Sequence, residues 1–409
     1  MKRRANRWWP TPWVRGGSRD AQGTPSPYAT DPAVAVGPER PSEEAEARIY
    51  VASQWKLVWW RYRQSPLAVV GLVMVVALYL VAIFAPFIAP FPPDAYSAQY
   101  TYAPPQRLHL FDTSQGSLRF SPYVEGYRVR INPDSLEREF VVDPSRKYRV
   151  GFFVRGYPYT LLGLVRSDVH LIGPLERGAP MYLLGADRAG RDLFSRLIYG
   201  SQVSLSIGLV GVALSTFLGI LLGGISGYYS GTVDLLIQRV IEFLGHIPTL
   251  PLWLGLSAAL PASWPALWVY FGITVILSII GWTGLARTVR GKFLALRTDD
   301  FVLAARLDGA GELRIILRHI LPSFMSHIIA SLTLALPGMI LGETALSFLG
   351  LGLRPPIVSW GVLLNEAQNV RAIATAPWLL IPGLAVMLTV MAYYFVGDGL
   401  RDAADPYST

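Results

Sequence analysis

No residue between Arg63 and Asp94 carries a charge, and none does between Arg196 and Asp234. Charge-free runs of that length exceed what a soluble core requires, and about 20 apolar residues in a helix cross the ~30 Å of hydrocarbon in a bilayer. The chain is therefore constrained to span a membrane. Composition agrees: of 409 residues, 52% are hydrophobic and 16% charged, against roughly 25% charged in soluble domains.

Six apolar segments are expected to span. They run from Pro66 to Phe91, Val203 to Tyr228, beyond Asp234 and Arg239 to Leu260, Leu267 to Ala286, Ser323 to Gly350 and Trp378 to Phe395. Lys56, Arg61 and Arg63 precede the first, so the positive-inside rule places the N-terminus in the cytoplasm. Arg287, Arg290, Lys292 and Arg297 follow the fourth, and Arg401 follows the sixth. Both positions fall inside by the same rule, and six crossings return the C-terminus to the cytoplasm. The net charge of +8 lies beside these spans and reads as an orientation signal rather than a nucleic-acid surface.

Residues 1–55, rich in Pro, Gly, Ser and charge, read as a disordered cytoplasmic tail. Met1 to Arg19 lacks the apolar stretch of a signal peptide, so it is expected to stay on the mature chain. The first span lies within 60–95. Residues 96–181 differ in texture: Pro and Gly punctuate short strand-like segments such as Tyr127 to Ile131 and Tyr148 to Val154. They read as an inserted β-rich extracytoplasmic domain, without cysteine to staple it. A core of five further spans occupies 182–400, and 401–409 form the C-terminus. The fold class is thus all-α and polytopic, with an inserted β-rich domain.

Along the second span Gly211, Ser215, Gly219, Gly223 and Gly227 recur every four residues. One small-residue stripe on a helix lets another backbone approach, so these five read as a packing surface. Ionisable groups inside hydrocarbon are expensive unless paired or facing water. Glu343, beside Thr344, is a candidate pore-lining residue or a helix–helix hydrogen-bonding group. Glu242 and His246, one turn apart, suit a metal site or proton relay, or an ion pair of Glu242 with Arg239. Two ligands make no zinc site, so no metal is assigned.

The cytoplasmic connection 298–322 carries the strongest functional signal. Thr298 is placed to cap a helix whose first turn holds Asp299 and Asp300. Gly309 and Gly311 permit a sharp turn, and a second helix through Leu313, Ile316, Leu317 and Ile320 is expected to stop at Pro322. This helix–turn–helix exposes alanines and apolar side chains on the cytoplasmic face, as a docking surface for a partner would. An amphipathic pair on lipid headgroups is the bland alternative.

The spacing Ala304-Ala305, Gly309, Leu321-Pro322 resembles the EAA loop of bacterial ABC importer permeases, most closely the C-type subunit of dipeptide, oligopeptide and nickel importers. Gly185 to Asp192, Ser347 to Gly352 and Gly397 to Ala403 carry the same resemblance. It covers roughly 60–95 and 182–409. Leu303 stands where the loop's name residue is Glu, and His319 where the general pattern has Ile. The insert at 96–181 is absent from short members of the family.

The resemblance implies a type I importer permease in a bacterial or archaeal cytoplasmic membrane, paired with a second permease. Two cytoplasmic ATPases and an extracytoplasmic solute-binding protein complete the implied assembly. Phe301, Ala304, Ala305, Gly309, Ala310, Leu321 and Pro322 would couple the chain to the ATPases. ATP and magnesium would be used there, with no cofactor on this chain. Its one Gly-Lys pair, Gly291-Lys292, lacks P-loop spacing, so the chain itself is not expected to be an enzyme. Peptides are the implied solute. An ion-coupled secondary transporter or channel is the rival reading, and it predicts inverted repeats that the sequence does not display.

Overall fold

The computed structural model describes residues 54–112, 119–131, 133, 138–261 and 263–404. The expected tail, apart from its last two positions, and residues 405–409 lie outside them. A short helix α1 (Gln54–Gln64) leads into α2 (Pro66–Ile83), whose start is set by Ser65 accepting from Ala68 N and by Pro66 in the first turn. A single turn, α3 (Ala85–Ile88), follows α2.

Four antiparallel strands follow, β1 (Leu108–Asp112), β2 (Arg119–Ile131), β3 (Arg138–Leu161) and β4 (Val165–Pro174), in the order β1-β2-β3-β4. The first half of β3 pairs with β2, and its second half with β4. The two strand segments singled out in the sequence fall in β2 and β3. A strap of chain holds the sheet to the helical body: Gln106 N donates to Tyr182 O at 2.8 Å, and Ala186 N to Ala103 O at 2.8 Å.

The helical body contains α4 (Leu193–Tyr229), α5 (Gly231–His246), α6 (Thr249–Ala258), α7 (Ala266–Leu296), α8 (Asp300–Leu307), α9 (Met325–Phe348), α10 (Trp360–Asn365) and α11 (Ile381–Ala404). Among the described residues five helices are long and apolar enough to cross a membrane, and the pair α5 and α6, bent by 88°, makes a sixth if counted as one span. The third expected span is thus not one straight helix. Pro248 offers no N–H to continue α5 and holds Ile247 extended (φ −83°, ψ 124°), which is where the chain turns.

Two other boundaries move. α4 begins ten residues before Val203, because Asp192 caps it with a 2.8 Å bond from Ser195 N. α7 runs ten residues past Ala286 and carries Arg287, Arg290 and Lys292 on its last turns. Within the body α4 lies along α7, α9 along α11, and α11 also along α2.

The small-residue stripe is the seam between α4 and α7. A Cβ on Gly223 would stand 2.5 Å from Ala286 O, and one on Gly227 2.7 Å from Arg290 O. At Gly219 it would meet the Leu285 side chain at 3.0 Å, and at Gly211 Met339 at 3.4 Å. Ser278 Oγ donates across the seam to Gly211 O (3.1 Å), beside Ser215.

Candidate functional site

The connection after α7 forms a compact hairpin of helices. α8 begins one residue later than expected: Asp299, not Thr298, occupies the cap position, with no side-chain cap bond. Val302 and Ala305 turn inward onto Tyr228, Phe293, Ile315 and Ile320 in one apolar cluster. Gly309 closes the helix at φ +78°, and Ala310 N donates to Ala305 O at 3.0 Å, a left-handed cap that favours glycine.

The return arm differs from the expected helix ending at Pro322. Glu312–Arg314 are α-helical, Ile315–Ile320 widen into a π-helix, and Leu321–Ser323 resume the α form. The Leu321 N–H reaches back to Ile316 O, so the register has already shifted before Pro322 arrives without a donor. The ring sits in the first turn of the resumed helix instead of breaking it.

Ala305 is buried and Leu321 half-buried, while Phe301, Ala304, Gly309 and Pro322 are exposed and Ala310 is partly covered. The named residues therefore divide between a face packed on the membrane helices and a face open to a partner. Leu307 (88% exposed) and Leu313 (70%) extend the open face.

Charge ties together the helix ends from which the hairpin springs, and one bond reaches the hairpin itself. Arg290 donates through Nε and Nη2 to Asp234 at 2.5 and 2.6 Å, and Arg297 Nη1 donates to Ser230 Oγ at 2.5 Å. Tyr229 donates to Glu312 at 2.9 Å. The cationic cluster read as an orientation signal also locks the turn between α4 and α5 onto the end of α7.

Glu343 is fully buried. It accepts from Ser204 (3.3 Å) on α4, Ser347 (2.8 Å) on α9 and Ser359 (2.7 Å) before α10. Trp360 N donates in turn to Ser204 Oγ at 3.1 Å. The carboxylate is a node of helix–helix hydrogen bonds, and no face of it meets solvent in this conformation. Thr344 is also buried, with its hydroxyl lacking a partner among the described residues. Glu242 pairs with Arg239 at 2.7 Å, and His246 meets Glu242 O at 2.6 Å, all three exposed. Among the described residues no third ligand joins them.

Sequence reasoning missed a second node, at the N-terminal end of α4. Asp187, 1% exposed, accepts from Arg191 Nε (2.6 Å), from Ala189 N and Arg191 N, and from Arg196. Arg191 Nη2 also donates to Glu366 at 3.3 Å, with Arg196 3.8 Å away. Burial, with the Asp187 carboxylate alongside, pushes the Glu366 carboxyl up, and burial pushes Asp192 up to about 7 against the opposing bonds from Ser195. Asp187, Arg191 and Asp192 stood in a quoted segment, and Arg196 closes the approach to a charge-free run. Nothing in the sequence linked them to Glu366, which lies far along the chain.

Residues 219–407 match the family described as the binding-protein-dependent transport system inner membrane component, and residues 53–105 match the N-terminal TM domain of oligopeptide transport permease C. A dipeptide transport system permease protein DppC of Bacillus subtilis is 38% identical over 54% of this chain and 68% of its own length. An oligopeptide transport system permease protein OppC of Haemophilus influenzae is 39% identical over 55% and 70%. The DppC of Alkalihalophilus pseudofirmus is 30% identical over 90% and 95%. Among solved structures, an inward-facing methionine ABC transporter MetNI is similar at 15% identity and a TM-score of 0.40, over 52% of this chain and 97% of that one.

Proposed function

The chain belongs to the family of binding-protein-dependent ABC importer permeases, in its oligopeptide permease C branch, and from that premise we propose that it forms half of a pathway for peptides. It is a multi-pass membrane permease subunit. The observation that carries the mechanistic reading is the 298–322 hairpin, packed on one face against α4, α7 and α9 and open on the other.

In this reading two cytoplasmic ATPases dock on the open face, through Phe301, Ala304, Gly309 and the exposed leucines. Ala305, Ala310 and Leu321 transmit the movement inward, because each packs in or against the buried cluster. ATP and magnesium are consumed on those partners. A second permease completes the pathway, covering apolar side chains such as Leu236 and Phe243 of α5 where lipid does not. An extracytoplasmic binding protein delivers the solute, and both termini lie in the cytoplasm.

Rigid-body closure of the ATPases would then swing the hairpin together with α7, since Val302 and Ile315 pack on Val289 and Phe293. The hairpin and the helix cannot move separately without opening that cluster.

The test is uptake into proteoliposomes holding the chain, its partner permease and both ATPases, with binding protein and labelled di- to pentapeptides added. ATP-dependent uptake that persists when ion gradients are collapsed is the expected result. Uptake driven by an ion gradient without ATP would overturn the reading in favour of a secondary transporter.

A further inference from the structure

We propose that the hairpin of β3 and β4 is an interfacial membrane anchor, its apolar tip and Phe153 seated in the lipid leaflet around the outer end of α2. Counting ~30 Å of hydrocarbon from Pro66 at 1.5 Å per residue brings the boundary to about Phe87. Phe153 meets Phe87 with ring centroids 6.1 Å apart and the rings tilted by 43°, and Tyr157 meets Phe91 edge-on at 6.3 Å. The middle of β3 therefore lies at the level where the first span leaves the bilayer, continuous with a surface that lipid already covers, and the rest of the hairpin projects from there.

Its side chains suit that level. Phe153 is 67% exposed, Leu162 68% and Leu164 84%, an apolar display that water alone does not favour. The tip also departs from ordinary turn chemistry. Leu164 N donates to Leu161 O at 3.0 Å, and the two residues between them, Leu162 and Gly163, stand at φ 51° and 72°. A tight hairpin turn of this kind favours Asn, Asp or Gly at its first corner. Leucine there holds an unfavourable backbone and points an apolar side chain outward, and Phe153 repeats the combination at φ 55°. Exposed Arg155 and Arg166 on the two strands are placed for lipid phosphates once the tip is immersed.

The chain contains no cysteine, so Leu164→Cys and Phe120→Cys each introduce one thiol for a nitroxide. Phe120, on β2, is 60% exposed and serves as the control on a strand outside the hairpin. The labelled chain, assembled with its partner subunits in phospholipid nanodiscs, is exposed in turn to oxygen, which concentrates in hydrocarbon, and to a water-soluble nickel chelate. The expected result is relaxation at 164 dominated by oxygen several-fold over nickel, with the reverse at 120. Nickel dominating at 164 would overturn the proposal. So would a label at 164 reached by neither, which would mean that a protein partner covers the tip. Nanodiscs leave both membrane faces open, so the result does not depend on the orientation or transport activity proposed above.

Discussion

Glu343 holds three serine hydroxyls from separate elements, so its substitutions should differ by what they leave unpaired. Glu343→Gln keeps an acceptor and is expected to lower the thermal midpoint in detergent only slightly. Glu343→Ala leaves buried donors without a partner, at about 1–3 kcal/mol for each unsatisfied group, and is expected to lower the midpoint by much more. Equal effects would argue against the node. Asp192 gives a pH signature. Its folded pKa of about 7 lies above the ordinary carboxylate value, so the folded chain binds the extra proton. The stability this contributes is complete below about pH 4 and is lost as pH rises through about 7. Glu366 is shifted in the same direction. The midpoint should fall between those pH values, and Asp192→Asn should remove a large part of the slope; an unchanged slope would contradict the assignment.

At the scale of elements, the seam between α4 and α7 predicts a graded series. Gly223→Ala and Gly227→Ala drive a Cβ to 2.5 and 2.7 Å from backbone oxygens of α7, which cannot yield without separating the helices. Gly219→Ala meets a leucine side chain at 3.0 Å, and Gly211→Ala meets a flexible methionine at 3.4 Å. Thermal midpoints should fall most for the first two and least for the last; a flat series would show that the helices are not held at this separation. Gly309 makes a separate prediction. It has open space around it within the chain, so inside the fold substitutions there act through φ +78°. Gly309→Asn tolerates that conformation better than Gly309→Val and should retain more ATPase coupling in the assembled complex.

The elements also show where the sequence was legible. The stripe and the apolar spans could be read because periodicity records which face is buried. The break at Pro248 was not anticipated, although proline and its preceding residue are local signals. The π-helical stretch before Pro322 was invisible for a different reason. It depends on Ile315 and Ile320 facing one cluster built by α4, α7 and α9, which no local pattern encodes. Distance in sequence hid the charge node in the same way, since Glu366 meets Arg196 only after α4 and the segment beyond α10 are packed together.

At the scale of the whole molecule the chain places a sheet on one end of a helical body and an open helical hairpin at the other, with α4 and α7 running between them. The central claim is that this hairpin receives the motor. The most direct measurement uses Leu307→Cys, the most exposed large apolar side chain of the hairpin, in the cysteine-free chain. A short photoactivatable cross-linker on that thiol is tested in the complex assembled with its partner subunits, with and without ATP. The account predicts cross-linking to an ATPase subunit, with a yield that changes on ATP binding. Cross-linking only to lipid or to the chain itself in both states would contradict it.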